Sequence, residues 1–126
     1  MQNPSSPPRQ ETGRLGEETA ARYLTSKGLE ILERNARFRQ GEIDLVALDG
    51  STVVFVEVKT RRTSTYGAPQ EAVHYRKQAR LRLVASVWLA TRGWNEATCR
   101  FDVVAIRLES AAEGGETHVL HLRNAF

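Results

Sequence analysis

Charged residues interrupt two apolar segments in the stretch GEIDLVALDGSTVVFVEVKTRR, which covers residues 41–62. Glu42 and Asp44 fall in the first segment, and Glu57 and Lys59 fall in the second. Mg²⁺ takes oxygen ligands and is typically held by one or two carboxylates together with water and phosphate. The residue types in this stretch therefore suit a divalent cation that acts on a phosphate group.

Asp-Gly at 49–50, between the two apolar segments, predicts a β-hairpin. If these are the two central residues of the turn, Glu42 faces Glu57. Asp44 then faces Phe55 and lies diagonally across from Glu57, with about 7–8 Å between the backbone positions. Side chains alternate between the faces of a strand. One face is therefore predicted to be entirely apolar: Ile43, Leu45, Ala47, Val54, Val56 and Val58.

The other face gathers all four charged side chains at the open end of the hairpin. Like charges placed directly opposite each other destabilise a sheet, so a bound cation is the natural compensation. The alternative is a frayed sheet end, where Glu57 and Lys59 form an exposed ion pair of little energetic weight. The continuous apolar flanks, the shared face and the basic segment that follows favour a functional site.

A basic segment covers residues 59–82 and contains seven Lys or Arg residues against one acid, Glu71. The whole chain has 15 arginines and 3 lysines, and the planar guanidinium matches phosphate oxygens well. This pattern indicates a polyanionic partner such as nucleic acid. A solvated helix face is the alternative for each of these residues. The predicted backbone contacts are Arg61, Arg62, Arg76, Lys77 and Arg80.

The length of 126 residues is typical of one domain, predicted at 13–126 after a flexible, proline-rich tail at 1–12. One cysteine, no N-terminal apolar run and no stretch of about 20 apolar residues predict a cytoplasmic protein outside the membrane. The patterns predict a mixed α/β layout with one crossover helix. The predicted elements are a helix at 13–27, a short strand that runs into a turn at 29–38, two strands that contain LVAL (45–48) and VVFV (53–56), a loop at 60–70, a helix at 75–92, and strands at 100–107 and 117–124.

The spacing from Asp44 to Glu57, followed by Lys59, resembles the PD-(D/E)xK signature of restriction-endonuclease-like nucleases. The segments GEIDL, FVEVKTRR, YGAPQEAV, RKQARL, CRFDVVAI and the terminal NAF look like the YraN family of bacterial proteins, and together they cover most of 13–126. The resemblance implies a restriction-endonuclease-like (tRNA-endonuclease-like) fold, with three α/β/α layers around a mixed central sheet.

The resemblance also implies roles for individual residues. Asp44 and Glu57 would hold Mg²⁺ or Mn²⁺, and Lys59 would serve the hydrolytic water. Glu42 belongs to the GEIDL motif, and Glu17 resembles a helix carboxylate that completes the metal site in resolvase-like relatives. Gln78, in RKQ, matches a polar position that faces the site in related nucleases. The signature proline is replaced by Ile43, and Glu17 could instead simply favour the positive end of its helix.

The expected function is that of a metal-dependent endonuclease acting on DNA. Two alternatives remain open: a nucleic-acid-binding protein that keeps the fold without cleavage, and a protein-interaction module whose charges pair with a partner. A neutral lysine that acts as a base would need a lowered pKa. The small surface favours a homodimer or a partner protein.

Four further residues have structural interpretations. Asp102 is expected to pair with Arg100 or Arg107, and Trp88 is expected in the core. His118 and His121 form a poor metal-ligand pair, because no further His or Cys lies near them in the sequence.

Overall fold

The computed structural model describes residues 9–61, 74–108 and 117–126, with side chains from residue 13 onward. Residues 1–8 of the predicted tail and residues 62–73, which include Arg62 and most of the predicted loop, lie outside the described residues. Neither helix in the described part is long and apolar enough to cross a membrane.

The described residues form two helices and a five-stranded sheet. The helices are α1 (Arg9–Ser26) and α2 (Tyr75–Arg92); the strands are β1 (Glu30–Phe38), β2 (Gly41–Asp49), β3 (Thr52–Arg61), β4 (Cys99–Leu108) and β5 (Thr117–Leu122). The order in the sheet is β1-β2-β3-β4-β5. Among these five described strands, only β3 and β4 pair in parallel, and α2 lies between them in the chain. The predicted mixed α/β layout is confirmed, although α1 begins at Arg9 rather than residue 13.

The two helices cover opposite faces of the sheet. On one face, Ala20 and Leu24 of α1 pack against alternate residues of three strands, namely Leu45, Ala47, Val54, Val56, Val104 and Ile106. On the other face, Val84 and Trp88 of α2 pack against Val46, Val53, Phe55, Phe101 and Val103. Trp88 is only 1% exposed, so its predicted core position is confirmed. A sheet that is apolar on both faces accounts for the nearly continuous apolar segments of its central strands.

Glycines follow the C-terminal ends of both helices. Gly28 and Gly93 have φ values of +94° and +69°, which other residues rarely adopt. At the other end of α2, His74 accepts a hydrogen bond on Nδ1 from the backbone N–H of Arg76, at 3.3 Å. This N-cap fixes where α2 begins and therefore where its first turn lies above the sheet.

The hairpin turn lies one residue later than predicted. Asp49 pairs with Thr52, so residues 50 and 51 are the central pair. Gly50 has a φ of +61°, which a turn of this length requires at its first central position. The positive φ falls on the glycine, and Asp49 stays in the strand. The register of β2 on β3 consequently differs by two residues from the predicted one.

This register corrects two predicted pairings. Val46, rather than Asp44, lies opposite Phe55, and the last recorded pair of the ladder joins Leu45 with Val56. The predicted pairing of Glu42 with Glu57 is therefore wrong, and Asp44 and Glu57 are the next residues beyond the last pair. A shift of two residues leaves the faces unchanged.

One member of the predicted apolar face is also misplaced. Ile43 packs in the core cluster on the α2 side, whereas Leu45 and Ala47 pack on the α1 side. The regular alternation of side chains in β2 ends at Asp44. There the Asp44 carboxylate accepts the hydrogen bond of a β3 backbone group, the N–H of Val58. Val58, which was predicted for the same face as Leu45 and Ala47, does pack there.

Candidate active site

Asp44 and Glu57 lie where the paired part of the β2–β3 hairpin ends. Asp44 Oδ2 accepts a hydrogen bond of 2.8 Å from the backbone N–H of Val58. This bond ties the carboxylate to β3 and holds it beside Glu57, whose side chain is only 8% exposed. The two carboxylates are thus fixed by the strands themselves rather than by loops.

Two ammonium groups converge on one oxygen of Glu57. Lys77 Nζ lies 2.5 Å from Glu57 Oε1, and Lys59 Nζ lies 3.5 Å from the same atom. Lys59 follows Glu57 by two positions and shares its face of β3, whereas Lys77 comes from the first turn of α2. Lys77 lies in the cluster of carboxylates and lysines, and its contact with a nucleic-acid backbone stays a prediction.

Burial, and after it the negative charge of Glu57, raises the pKa of Asp44 to about 7. Glu17 and Glu42 contribute in the same direction, while the hydrogen bond from Val58 opposes them. No salt bridge among the described residues involves Asp44. At neutral pH, binding of either a proton or a cation would therefore relieve the unfavourable electrostatic energy of the ionised Asp44 carboxylate.

The two lysines respond differently to this environment. Burial lowers the pKa of Lys59, and the adjacent ammonium of Lys77 adds to the effect against the attraction of Glu57. Burial also acts against the charged form of Lys77, but its hydrogen bond and attraction to Glu57 outweigh burial and raise its pKa. Of the two, Lys59 is the lysine that gives up a proton more readily.

Close packing of α1 on β3 brings Glu17 towards this cluster. A Cβ atom on Gly16 would lie 1.8 Å from Oγ1 of Thr60, so only glycine permits the observed approach. Glu17 is the next residue of α1, and its charge contributes to the raised pKa of Asp44. The family resemblance predicts Glu17 at this site, whereas no pattern in the sequence indicates that position 16 requires glycine.

Glu42 is more exposed and takes part in a surface ion pair. Its Oε2 lies 2.9 Å from Nε of Arg37 on β1. Across the described part of the chain, no three His, Cys, Asp or Glu side chains are gathered into a group that could hold a metal ion. A metal site on Asp44 and Glu57, with a third ligand from Glu17 or Glu42, stays a prediction.

A cleft of about 240 Å³ opens over the carboxylates. Its lining residues from the strands are Gly41, Glu42, Asp44 and Glu57, and those from α2 are Lys77, Arg80 and Leu81. Gly41 lets α2 come close, since a Cβ atom there would lie 3.1 Å from Val84 and 3.3 Å from Arg80. The cleft thus combines a negative floor with positive charges from the helix.

The remaining predicted nucleic-acid contacts are dispersed. Arg76 is exposed at the beginning of α2, with its guanidinium 6.0 Å from the ring centre of Tyr75. Gln78 and Arg61 are half-buried and do not line the cleft. Of the five predicted backbone contacts and Gln78, Lys77 and Arg80 are the ones that line the cleft among the described residues.

The chain is similar to proteins of one bacterial family along most of its length. The family model described as "Uncharacterised protein family UPF0102" matches residues 16–106. A UPF0102 protein of Rhodococcus jostii is 51% identical over 114 residues, which are 90% of this chain and 94% of the relative. Relatives from Symbiobacterium thermophilum (49% identical, 90% and 94% covered) and Trichlorobacter lovleyi (48%, 93% and 91%) match comparably. The resemblance to the YraN family, another name for this group, is confirmed.

Proposed function

We propose that this chain, which belongs to the UPF0102 family, is a metal-dependent endonuclease that hydrolyses DNA phosphodiesters at the cleft between β2, β3 and α2. The observation that carries the proposal is the pair Asp44 and Glu57 beside Lys59, placed where β2 and β3 stop pairing and a cleft opens. Asp44 lines this cleft and has a raised pKa, and a carboxyl group with a perturbed pKa in a cleft is a candidate functional residue. The spacing of these three residues in the sequence supports the same interpretation.

The residues present fit a divalent cation. Asp44 uses Oδ2 to accept the hydrogen bond of Val58, which leaves Oδ1 for another partner. Asp44 and Glu57 would hold Mg²⁺ or Mn²⁺, since these ions accept one or two carboxylates with water and phosphate as the other ligands. When bound, such an ion stabilises negative charge on the phosphoryl oxygens and lowers the pKa of a water molecule.

Lys59 is the residue suited to act on the attacking water. Its lowered pKa follows from burial beside Lys77, and a lysine that releases its proton more easily can orient the water or accept a proton from it. In its charged form the same ammonium stabilises the negative charge that develops on phosphorus-bound oxygens. Both roles require Lys59 to stay beside Glu57, at the 3.5 Å contact described above.

Lys77 and Arg80 supply positive charge on the helix side of the cleft. Arg80 lines the cleft, and its guanidinium suits a phosphate of the nucleic-acid backbone. Lys77 forms an ion pair with Glu57, so a cation bound to Glu57 would compete with this ammonium. Lys77 would then be available for phosphate, which would couple occupation of the carboxylates to binding of the substrate.

The proposal is tested by cleavage of fluorescently labelled single-stranded, duplex and four-way-junction DNA with Mg²⁺ or Mn²⁺. The matched variants are Asp44→Asn, Glu57→Gln and Lys59→Gln, and Glu96→Gln at an exposed position is the control. The wild type should cleave at least one of these substrates. Cleavage of that substrate should be at least about 100-fold slower in the first three variants and unchanged in the control. Cleavage that survives Asp44→Asn and Glu57→Gln would contradict the proposal.

A second candidate is a nucleic-acid-binding protein that does not cleave. It is favoured by the ion pair of Lys77 with Glu57, which already neutralises one carboxylate without a metal. DNA binding measured by fluorescence anisotropy, with no product from any substrate under either metal, would favour this candidate over the endonuclease. Absence of DNA binding as well would favour a protein-interaction module.

A further inference from the structure

A second polar pocket lies at the hairpin end of the sheet, away from the carboxylate cleft. Its volume is about 330 Å³, and its ionisable lining residues are Lys27, Asp49, Arg100, His121 and Arg123. Asp49 ends β2 and lies five positions after Asp44. At roughly 3.4 Å per residue the two sites are about 17 Å apart along the strand. The pocket is therefore distinct from the site proposed for catalysis.

The fully buried carboxylate of Asp102 contacts two of the lining residues, Arg100 and His121. Asp102 is 0% exposed, and Arg100 donates to it from Nε and Nη2 at 3.1–3.3 Å. His121 Nε2 lies 2.7 Å from Asp102 Oδ2, and the backbone N–H of Asn124 donates to Oδ1 at 2.9 Å. The predicted pairing of Asp102 with Arg100 is confirmed. Since a buried charge is costly unless it is fully partnered, this network rigidly positions the Arg100 and His121 side chains.

The charges around the pocket do not balance. Arg100 Nη1 and Arg123 Nη2 both donate to Asp49 Oδ2, at 2.8 and 3.3 Å. The ammonium of Lys27 lies 5.6 Å from the ring centre of Tyr23, and among the described residues no carboxylate pairs with it. Three Lys and Arg side chains thus face Asp49 and the buried Asp102, which leaves a formal net charge of +1 without His121.

We propose that this pocket binds the phosphate group of a phosphate monoester. The group would lie against the ammonium of Lys27 and the guanidinium of Arg123, and Arg100 is already oriented beneath them. Charge-assisted hydrogen bonds from such groups are the strong ones, and arginine matches phosphate oxygens in a fork geometry. The pocket is larger than a bare phosphate needs, and Tyr23 and Leu29 provide an apolar wall for the organic part of the ester.

Inorganic phosphate is the first probe, titrated calorimetrically into the full-length chain at fixed ionic strength. Lys27→Gln and Arg123→Gln should each weaken binding by about tenfold, the effect of losing one charge-assisted hydrogen bond. Arg14→Gln, which removes an exposed cation on α1, is the matched control and should leave the affinity unchanged. An equal loss in the control would show only general attraction of anions and would overturn the proposal, as would absence of saturable phosphate binding by the wild type.

A variant with the opposite sign separates binding from misfolding. Asp49→Asn removes the carboxylate that Arg123 and Arg100 face, and should tighten phosphate binding several-fold. Damage to the fold could not produce such an increase. Weaker or unchanged binding in Asp49→Asn would contradict the proposed placement of the phosphate.

The source of the phosphate is then identified with three further probes. These are adenosine 5′-monophosphate, a short 5′-phosphorylated oligonucleotide and the same oligonucleotide with a 5′-hydroxyl group. Binding of the mononucleotide as tight as that of the phosphorylated strand would assign the pocket to a free ester. Tighter binding of the phosphorylated strand, with the advantage lost in Lys27→Gln, would assign it to a strand terminus. If none of them depends on Lys27 or Arg123, the proposal is wrong.

Discussion

Replacement of Asp44 by asparagine should make the protein more stable at neutral and alkaline pH. Burial beside Glu57 raises the pKa of this carboxyl group in the folded protein to about 7, from an ordinary value of 3.8. Each pKa unit corresponds to about 1.36 kcal/mol, so ionisation of Asp44 destabilises the folded state by about 4 kcal/mol above pH 7. The asparagine amide would keep an acceptor for the N–H of Val58 and remove this penalty.

The sign of the pH dependence follows from the two protonation states. Below about pH 4 Asp44 is protonated in both the folded and the unfolded chain, and ionisation contributes nothing. Between about pH 4 and pH 7 only the folded chain keeps the proton, so the stability of the wild type falls relative to Asp44→Asn as the pH rises. The difference should grow by about 1.4 kcal/mol per pH unit and level off above pH 7.

Urea denaturation of both proteins from about pH 4.5 to pH 8.5, without divalent cations, measures this difference directly. Glu96→Gln, at an exposed position, is the control and should show no such trend. A constant difference between wild type and Asp44→Asn across this range would refute the electrostatic account of the site. A variant that is less stable than the wild type at the alkaline end of the range would refute it as well.

Two other substitutions test the packing and the charge balance of the site. Gly16→Ala should lower the free energy of unfolding by about 1–3 kcal/mol, because its Cβ would overlap Thr60. Gly13→Ala on the same helix has nothing within 4 Å of its Cβ and should raise the free energy of unfolding by about 0.5–1 kcal/mol; equal effects in urea denaturation would contradict the close approach of α1. Lys77→Gln should tighten Mn²⁺ binding, because it removes the ammonium that competes for Glu57. The expected gain is only roughly three- to tenfold, because solvent partly screens the charge of Lys77 in the wild type. Unchanged or weaker binding in calorimetry would show that Lys77 does not compete for Glu57.

The helices and strands follow from local patterns that a single sequence contains. Alternation in β2 and β3 correctly assigns most side chains to a face, because a strand has a period of two whatever it packs against. Prediction of the register between β2 and β3 requires one further fact, namely which position of the turn the residue with positive φ occupies. The sequence Asp-Gly allows the glycine to be either the first or the second central residue, and the structure has Gly50 first.

The site was only partly predictable for a different reason. Asp44, Glu57 and Lys59 lie on one hairpin, so their proximity follows from spacing along the chain. The approach of Lys77 depends on where α2 crosses the sheet, and no local pattern specifies that position. The contact of His121 with Asp102 depends likewise on how β5 pairs with β4, where Val104 lies opposite His121. Both contacts are set by tertiary packing rather than by sequence distance.

Calorimetric titration of Mn²⁺ into the metal-free wild type, Asp44→Asn and Glu57→Gln tests the central claim most directly. If the two carboxylates form a metal centre, the wild type should bind one Mn²⁺ ion saturably, and both variants should lose this binding while Glu96→Gln keeps it. A folded wild type that binds no Mn²⁺, even with a short DNA duplex present, would contradict the metal-dependent mechanism. Binding that persists unchanged in both variants would show that the ion sits elsewhere.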